Sequence, residues 1–269
     1  MSERIDAVFR QLAKDGRKGF IAYITAGDPT VERTVEDVLR LAEAGTDLVE
    51  LGVPFSDPLA DGRVNVESAG RALKGGATLA RVLDGVRAVR KRSRVPIVLY
   101  SYLNPLLVRG FEGTIRRIAA AGVDGVLILD MAVEEAPSFA PAMRDCGVAP
   151  ILLVTPTSTA ARMKRIAAEA AGFVYCVSRT GVTGARKDIS SDAGDVIARM
   201  RRHTRLPLAL GFGISTPGQS AAAASVADAV VVGSALVDRL HKAGDDARAR
   251  KAVFAWVARM ARAAHRAGG

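Results

Sequence analysis

The chain has 269 residues, of which 49% are hydrophobic and 25% charged, and its net charge is +10. This composition can fill a large core, so it excludes an intrinsically disordered chain. No apolar run approaches the roughly 20 residues that a membrane-spanning helix needs, and residues 1–4 begin no secretory signal, so we expect a cytoplasmic protein.

Helical and strand patterns alternate along the whole chain. An amphipathic helix is predicted first, at residues 5–14. Eight short apolar or β-branched runs then predict strands, at Phe20–Ala26, Leu48–Val53, Ile97–Tyr102, Gly125–Asp130, Ile151–Thr155, Phe173–Ser178, Leu206–Gly211 and Ala229–Gly233. Between these strands, helices are predicted at 31–44, 79–91, 113–121, 134–145, 159–171 and 191–203.

The order of these elements predicts the α/β class and a single (β/α)8 TIM barrel, one catalytic domain over residues 1–269 with an N-terminal helix that caps the barrel bottom. Strands that are apolar throughout are typical of a parallel sheet covered by helices. Several helices are followed by glycine, the usual left-handed stop. A doubly wound sheet is the alternative. It is weakened because Gly211-Phe212-Gly213 lacks the rest of a dinucleotide fingerprint.

The basic residues include two runs, at 87–94 and 199–205, near the ends of predicted helices. Clustered cations are typical of proteins that bind a phosphate backbone. Cations at helix C-termini also complement the helix dipole, so these runs indicate solvated helix faces more than a nucleic-acid site.

The second strand carries a glutamate between two apolar residues. Glu50 should point away from the face of Val49 and Leu51, which in a barrel means toward the interior. Burial there would raise its pKa toward the range useful for proton transfer. Asp57 and Asp61 follow in the next loop. The alternative is a half-exposed glutamate followed by two turn-forming aspartates.

In a TIM barrel the active site lies at the C-terminal ends of the strands. Polar and aromatic residues collect there: Asp28, Tyr100, Tyr102, Asn104, Asp130, Thr155 and Tyr175. After strands seven and eight, Gly213, Gly233 and Ser234 predict a phosphate site, because glycine backbones approach an anion closely and Ser234 opens a helix. The alternative is that both glycines only form turns.

The loop after the sixth strand contains Gly181 and Gly184, which predict a mobile lid, with Arg179 able to reach an anionic substrate. A plain surface loop is the alternative.

No metal site is expected, because all three histidines are predicted in helices away from the strand ends: His203, His241 and His265. The chemistry that remains is acid–base catalysis by carboxylates on a phosphorylated small molecule.

The stretch Val49–Gly62 resembles the signature of the tryptophan synthase alpha subunit family. Further matches lie at 23–29, 104–105, 178–185, 211–215 and 233–235. The resemblance implies a lyase of tryptophan biosynthesis that cleaves indole-3-glycerol phosphate by a retro-aldol reaction into indole and glyceraldehyde 3-phosphate. It also implies an α2β2 complex in which a β subunit with pyridoxal phosphate receives the indole. No cofactor is expected in this chain.

The same resemblance implies roles for individual residues. Glu50 would shuttle a proton between the glycerol hydroxyl and indole C3, and Asp61 would accept the indole N–H and stabilise charge on the ring. Substrate contacts are implied for Tyr23, Tyr175, Thr183, Gly184, Gly213, Gly233 and Ser234. Three further residues at the strand ends are expected to line the same site: Tyr102, Arg179 and Phe212.

Some positions depart from the family pattern. Arg63 stands where proline is usual, Asn65 and Val66 replace an Ile-Gln pair, and Ala132 replaces another proline. These positions border the loops that meet the β subunit in the family. Two alternatives therefore stay open: an indole-releasing lyase that works without a β subunit, and an idle barrel that binds or activates a partner. Retention of Glu50 and Asp61 argues against the second.

Overall fold

The computed structural model describes residues 2–177, 191–211 and 213–268. Within these ranges, eight parallel strands close into a barrel in chain order, and β1 pairs with both β2 and β8. The strands are β1 Gly19–Thr25, β2 Leu48–Gly52, β3 Ile97–Ser101, β4 Gly125–Ile128, β5 Ala149–Val154, β6 Val174–Val177, β7 Leu208–Gly211 and β8 Ala229–Val232. The predicted (β/α)8 barrel is confirmed, with each strand boundary within two residues of its predicted place.

Helices surround the barrel. They are α1 Glu3–Lys14, α2 Val31–Glu43, α3 Arg63–Lys74, α4 Leu79–Arg90, α5 Asn104–Leu107, α6 Phe111–Ala121, α7 Ala136–Asp145, α8 Ala160–Glu169, α9 Ser191–Arg201, α10 Pro217–Ala224, α11 Ser234–Ala243 and α12 Ala247–Arg266. Threonine caps several of them, as at α2, where the Thr30 side chain accepts a hydrogen bond from Arg33 N. The sequence patterns do not predict α3, α5 or α10.

The strands divide their side chains between two cores. Val49 and Leu51 belong to the outer core under the helices, whereas Leu48 belongs to the core inside the barrel. This alternation follows from the two-residue repeat of a strand. Position 50 therefore shares the inward face of β2 with Leu48.

Helix α1 covers the bottom of the barrel, as predicted. Its apolar residues Ile5, Phe9 and Leu12 are buried among the interior side chains of the strands. The ring centroids of Phe9 and Phe173 are 5.9 Å apart. The bottom is therefore filled by packed apolar groups, and the opposite end is left for the polar residues at the strand ends.

The end of α9 corrects one prediction. Helix α9 ends at Arg201, and His203 lies in the turn that follows, not in a helix. The helix ends in tight turns, because Arg202 N and His203 N donate to the carbonyl groups three residues earlier, of Arg199 and Met200. Strand β7 begins at Leu208 and not at Leu206, because Pro207 has no N–H to donate to a neighbouring strand.

None of the helices in the described ranges is both long and apolar enough to cross a membrane.

Candidate active site

Glu50 lies in the middle of β2 with its side chain inside the barrel. It is paired in register with Tyr23 on β1 and Val98 on β3, and it is fully buried. Both carboxyl oxygens lack a hydrogen-bond partner among the described residues. Burial raises the pKa of Glu50 to about 8. Complete burial excludes the half-exposed glutamate, and the raised pKa makes this group a neutral acid at pH 7.

Asp61 lies in the loop between β2 and α3, where three side chains converge on it. Tyr102 Oη donates to Oδ2 at 2.9 Å, and Tyr100 Oη donates to Oδ1 at 3.2 Å. Asn65 Nδ2 donates to Oδ1 at 3.4 Å. Desolvation raises the pKa of Asp61, and these hydrogen bonds oppose that shift. The loop is held as well, because Ala60 N donates to Tyr102 Oη at 3.0 Å.

Two tyrosines lie flat along the inner wall above Glu50, each over a glycine of the next strand. A Cβ added at Gly52 would collide with the Tyr23 hydroxyl, and one added at Gly211 would collide with the Tyr175 hydroxyl. The pKa of Tyr175 is raised by burial and then by the nearby charge of Glu50. The glycines therefore make room for rings that wall the cavity around the carboxyl group.

The predicted phosphate residues follow β7 and β8, which are neighbours. Gly211 pairs in register with Val231, so Gly213 and Gly233 each lie two residues beyond a matched pair. Gly233 precedes α11, whose first residue is Ser234. The first N–H groups of a helix have no partner inside the helix and favour an anion. The strand ends thus place glycine backbone and a helix N-terminus at one level of the barrel.

Gly213 itself has the left-handed φ of 71° and lies exposed, with no heavy atom within 4 Å of an added Cβ. Two backbone donors that follow in the same loop, Ser215 N and Thr216 N, both donate to the Gln219 side chain. They are therefore committed to the start of α10.

Comparisons with known proteins agree on one family. A family model described as the tryptophan synthase alpha chain matches residues 9–265. The chain belongs to the tryptophan synthase alpha chain family.

Its relatives are similar over nearly their whole length. The tryptophan synthase alpha chain of Geotalea daltonii is 47% identical over 239 residues, covering 89% of this chain and 90% of the relative. That of Burkholderia thailandensis is 49% identical over 245 residues, covering 90% of each. The lyase activity of the alpha chain in tryptophan biosynthesis, which the sequence resemblance implies, is confirmed.

Solved structures give the same result. A tryptophan synthase structure from Mycobacterium tuberculosis superposes with a TM-score of 0.90 at 32% identity, covering 98% of this chain and 99% of that chain. The alpha subunit from Legionella pneumophila superposes with a TM-score of 0.88 at 34% identity, covering 97% of each. Both support the TIM barrel of the tryptophan synthase alpha fold.

Three of the predicted site residues lie within strands, Tyr23 on β1, Glu50 on β2 and Tyr175 on β6. Five others follow the C-terminal ends of strands: Asp61, Tyr102, Gly213, Gly233 and Ser234. Four others fall outside the described residues: Arg179, Thr183, Gly184 and Phe212. One strand-end residue is committed elsewhere, because Asp28 accepts hydrogen bonds from Arg71 and Ser68.

Two contacts of Asp61 have no assigned role in the sequence analysis. Tyr100 appears there only among the strand ends, and Asn65 only as a departure from the tryptophan synthase alpha pattern. The alternation of Val98 and Tyr100 on β3 with Tyr102, the residue just after it, is the signal that predicts both hydroxyl groups on the inward face. In the described part of the chain, no group of three or more His, Cys, Asp or Glu side chains could hold a metal ion.

The raised pKa of Glu50 predicts a pH-dependent stability. Between pH 5 and pH 8 the folded protein keeps a proton that the unfolded chain, with an ordinary glutamate pKa of 4.5, has lost. Glu50 therefore lowers the free energy of unfolding by about 1.4 kcal/mol per pH unit as pH rises through this window, and its effect levels off above pH 8. The amide that replaces the carboxyl group in Glu50→Gln cannot ionise. As pH rises from 5 to 8, the free energy of unfolding of this variant should therefore increase steadily relative to that of wild type.

Denaturant unfolding of both proteins at pH 5, 6.5 and 8 measures this difference, in which the other titrating groups cancel. A difference that stays constant with pH would show that Glu50 has an ordinary pKa in the folded protein.

Proposed function

We propose that Glu50 and Asp61 carry out the retro-aldol cleavage of indole-3-glycerol phosphate to indole and glyceraldehyde 3-phosphate. The observation that carries this proposal is the fully buried carboxyl group of Glu50, which has no hydrogen-bond partner among the described residues. A buried polar group without a partner costs folding free energy, so its retention favours a chemical role. Asp61 supplies a second carboxyl group on the far side of Tyr100.

The proton balance of the reaction suits one carboxyl group that begins neutral. Glu50 gives its proton to indole C3 and the resulting carboxylate takes the proton of the adjacent glycerol hydroxyl. The bond between C3 and the glycerol carbon then breaks, its electron pair returns to the ring, and the oxygen becomes the aldehyde of glyceraldehyde 3-phosphate. Glu50 ends protonated, as it began. A pKa of about 8 supports this cycle at neutral pH.

Asp61 would act at the indole nitrogen. Protonation of C3 makes the ring cationic and the N–H more acidic, so an acceptor there binds more strongly in the transition state than in the substrate. The two tyrosine donors on its carboxylate favour the ionised form. The rings of Tyr23 and Tyr175 would enclose the indole ring and would keep water away from Glu50.

The phosphate group would bind at Gly213, Gly233 and Ser234, and this assignment predicts the effect of a bulky residue at position 213. Gly213→Val should place a side chain where the phosphate binds, so glycerol 3-phosphate should lose about ten-fold or more in affinity, while indole loses much less. Calorimetric titration of both ligands measures this.

The matched control is Gly147→Val. Gly147 has a φ of 73° and open space around an added Cβ, like Gly213, but it lies in the turn before β5 at the other end of the barrel. Both valines carry the same backbone strain of roughly 1–2 kcal/mol. If Gly213→Val weakens both ligands equally, or if Gly147→Val weakens glycerol 3-phosphate as much, the phosphate assignment is wrong.

The expected partner is a tryptophan synthase β subunit that holds pyridoxal phosphate, in a cytoplasmic α2β2 complex. Two exposed apolar side chains support this proposal: Leu59 is 95% exposed in the loop after β2, and Val108 is 80% exposed after α5. Both loops lie at the active-site end, and the Ala60 to Tyr102 hydrogen bond joins them. Exposed apolar groups at one end are typical of a protein–protein contact.

The alternative of a lyase that works without a β subunit is supported by Asp61, which the chain alone already holds through three side chains. Arg63, at the usual proline position, is exposed and pairs with Glu67 at 2.7 Å. Titration of the purified chain with its β subunit separates the two proposals. A rise in turnover supports the complex, whereas full turnover alone with no rise supports the independent lyase.

Indole release in a single-turnover assay tests the proposed reaction itself. Indole formed from indole-3-glycerol phosphate by wild type, and not by Glu50→Gln, is the expected result. No indole from wild type, with or without a β subunit, would leave only the idle barrel.

A further inference from the structure

Tyr100 is the side chain that connects the wall of the cavity to Asp61. It lies on β3 in register with Gly52, and its hydroxyl donates to Asp61 Oδ1 at 3.2 Å. Among the described residues, this carboxylate is the one hydrogen-bond partner shown for the Tyr100 side chain. The Tyr102 hydroxyl, in contrast, also accepts from Ala60 N and so helps to hold the loop.

The Tyr100 ring is itself held in place. Tyr23 packs edge-to-face against Tyr100, with the ring centroids 4.9 Å apart and an angle of 68° between the ring planes. Tyr23 in turn lies over Gly52, and only a residue without Cβ leaves it that space. A ring fixed by packing presents its hydroxyl in one direction.

We propose that Tyr100 is a positioning residue for the lyase reaction: its hydroxyl, buttressed by Tyr23, fixes the orientation of the Asp61 carboxylate toward the indole nitrogen. This proposal rests on the role proposed above for Asp61. The two oxygens of Asp61 then divide their tasks. Tyr102 holds Oδ2 and the loop, whereas Tyr100 and Asn65 hold Oδ1.

The hydroxyl also has an electrostatic effect. Each hydrogen bond to Asp61 lowers the pKa of its carboxyl group against the larger effect of burial. Removing the Tyr100 hydroxyl should therefore raise the pKa of Asp61. The fall of kcat at low pH, which we call the acid limb of the kcat profile, should then move to higher pH. Besides Tyr100, the titratable side chains that interact with Asp61 or with its tyrosine partners are Tyr23, Tyr102, Tyr175, Glu50 and Asp130. Glu50, the other tyrosines and Asp130 are unchanged in the variant, so they are common to both sides of the comparison, and the pKa of about 8 of Glu50 places its own titration on the alkaline side of the profile.

The experiment compares Tyr100→Phe with wild type in the lyase assay, across pH and substrate concentration. Phenylalanine keeps the ring against Tyr23 and removes only the hydroxyl. We expect kcat to fall about ten-fold, the size of one hydrogen bond to a charged acceptor, with KM within about two-fold of wild type. The acid limb should shift upward in pH.

Ser220→Ala is the matched control for loss of a buried hydroxyl. Ser220 Oγ donates to Met260 O at 3.0 Å between α10 and α12, away from the site. Ser220→Ala should lose about as much stability as Tyr100→Phe, whereas its kcat and the pH dependence of kcat should match those of wild type. Thermal unfolding of each variant shows whether the losses in stability are matched.

Combination with Asp61→Asn decides whether Tyr100 acts through Asp61. Adding Tyr100→Phe to Asp61→Asn should cause no further loss of kcat. If Asp61→Asn alone leaves kcat unchanged, the proposed role of Asp61 fails. If Asp61→Asn lowers kcat but Tyr100→Phe changes neither kcat nor the acid limb, or if the two losses multiply, the positioning role of Tyr100 is overturned.

Discussion

Glu50→Gln should lower kcat for cleavage of indole-3-glycerol phosphate by about 10²-fold or more, the usual contribution of general acid–base catalysis. The amide matches the carboxyl group in shape and fills the same buried space, but it neither gives nor takes a proton. Glu50 has no hydrogen-bond partner among the described residues, so the substitution breaks no hydrogen bond there, and the amide N–H groups take the place of the O–H of the neutral acid. The loss should therefore come from chemistry and not from folding.

Steady-state kinetics of Glu50→Gln, together with glycerol 3-phosphate affinity, test this expectation. Phosphate affinity should match that of wild type, because Gly213, Gly233 and Ser234 are untouched. Glu36→Gln serves as the control, since Glu36 lies exposed on α2 outside the barrel. More than about a tenth of wild-type kcat in Glu50→Gln would mean that another group carries the proton.

Asp61→Asn should lower kcat by about 10²-fold while KM changes little. The carboxylate stabilises positive charge that develops on the indole ring only after C3 is protonated, and removing a group of this kind costs about 10² to 10³ in rate. Asparagine keeps the size of the side chain, and its carbonyl can still accept from one tyrosine. Loss of the negative charge is then the main change.

The matched control lies in the same loop. Asp57 is exposed, and its Oδ2 accepts a hydrogen bond from its neighbour Ser56 at 2.7 Å. Asp57→Asn removes the same charge from the same loop, away from the tyrosine donors, and should leave kcat and KM unchanged. An equal loss in both variants would show that net charge near the cavity matters, not the contact with the indole nitrogen.

The parts of the fold that follow from the sequence are those with a strong apolar repeat. Continuous apolar runs mark the strands because both faces of a barrel strand are buried. The inward direction of Glu50 follows from the same repeat. Helix α3 carries no such signal, since its buried residues are the small Ser68, Ala69 and Ala72. Helix α10 buries the equally small Ser220, Ala223 and Ala224, so it also lacks the repeat of large apolar residues that predicts a helix.

The contacts of the site depend on the path of a loop, and no local pattern encodes that path. Asp61 and Tyr100 are 39 positions apart, and they meet only because the loop after β2 folds back over the end of β3. The packing of Tyr23 over Gly52 likewise depends on the register between β1 and β2. The sequence identifies the reactive carboxylates, but their partners become visible only in three dimensions.

Gly52 and Tyr23 also constrain how this barrel can change over evolutionary time. A larger residue at position 52 is incompatible with the tyrosine ring, and a smaller residue at position 23 leaves a void above the glycine. Either change alone is therefore harmful, whereas the two together restore a filled wall. Gly211 and Tyr175 form a second pair of the same kind. Diverging homologues should therefore keep glycine at positions 52 and 211 wherever a large ring stands at positions 23 and 175, and a library that varies only the glycines should yield few folded members.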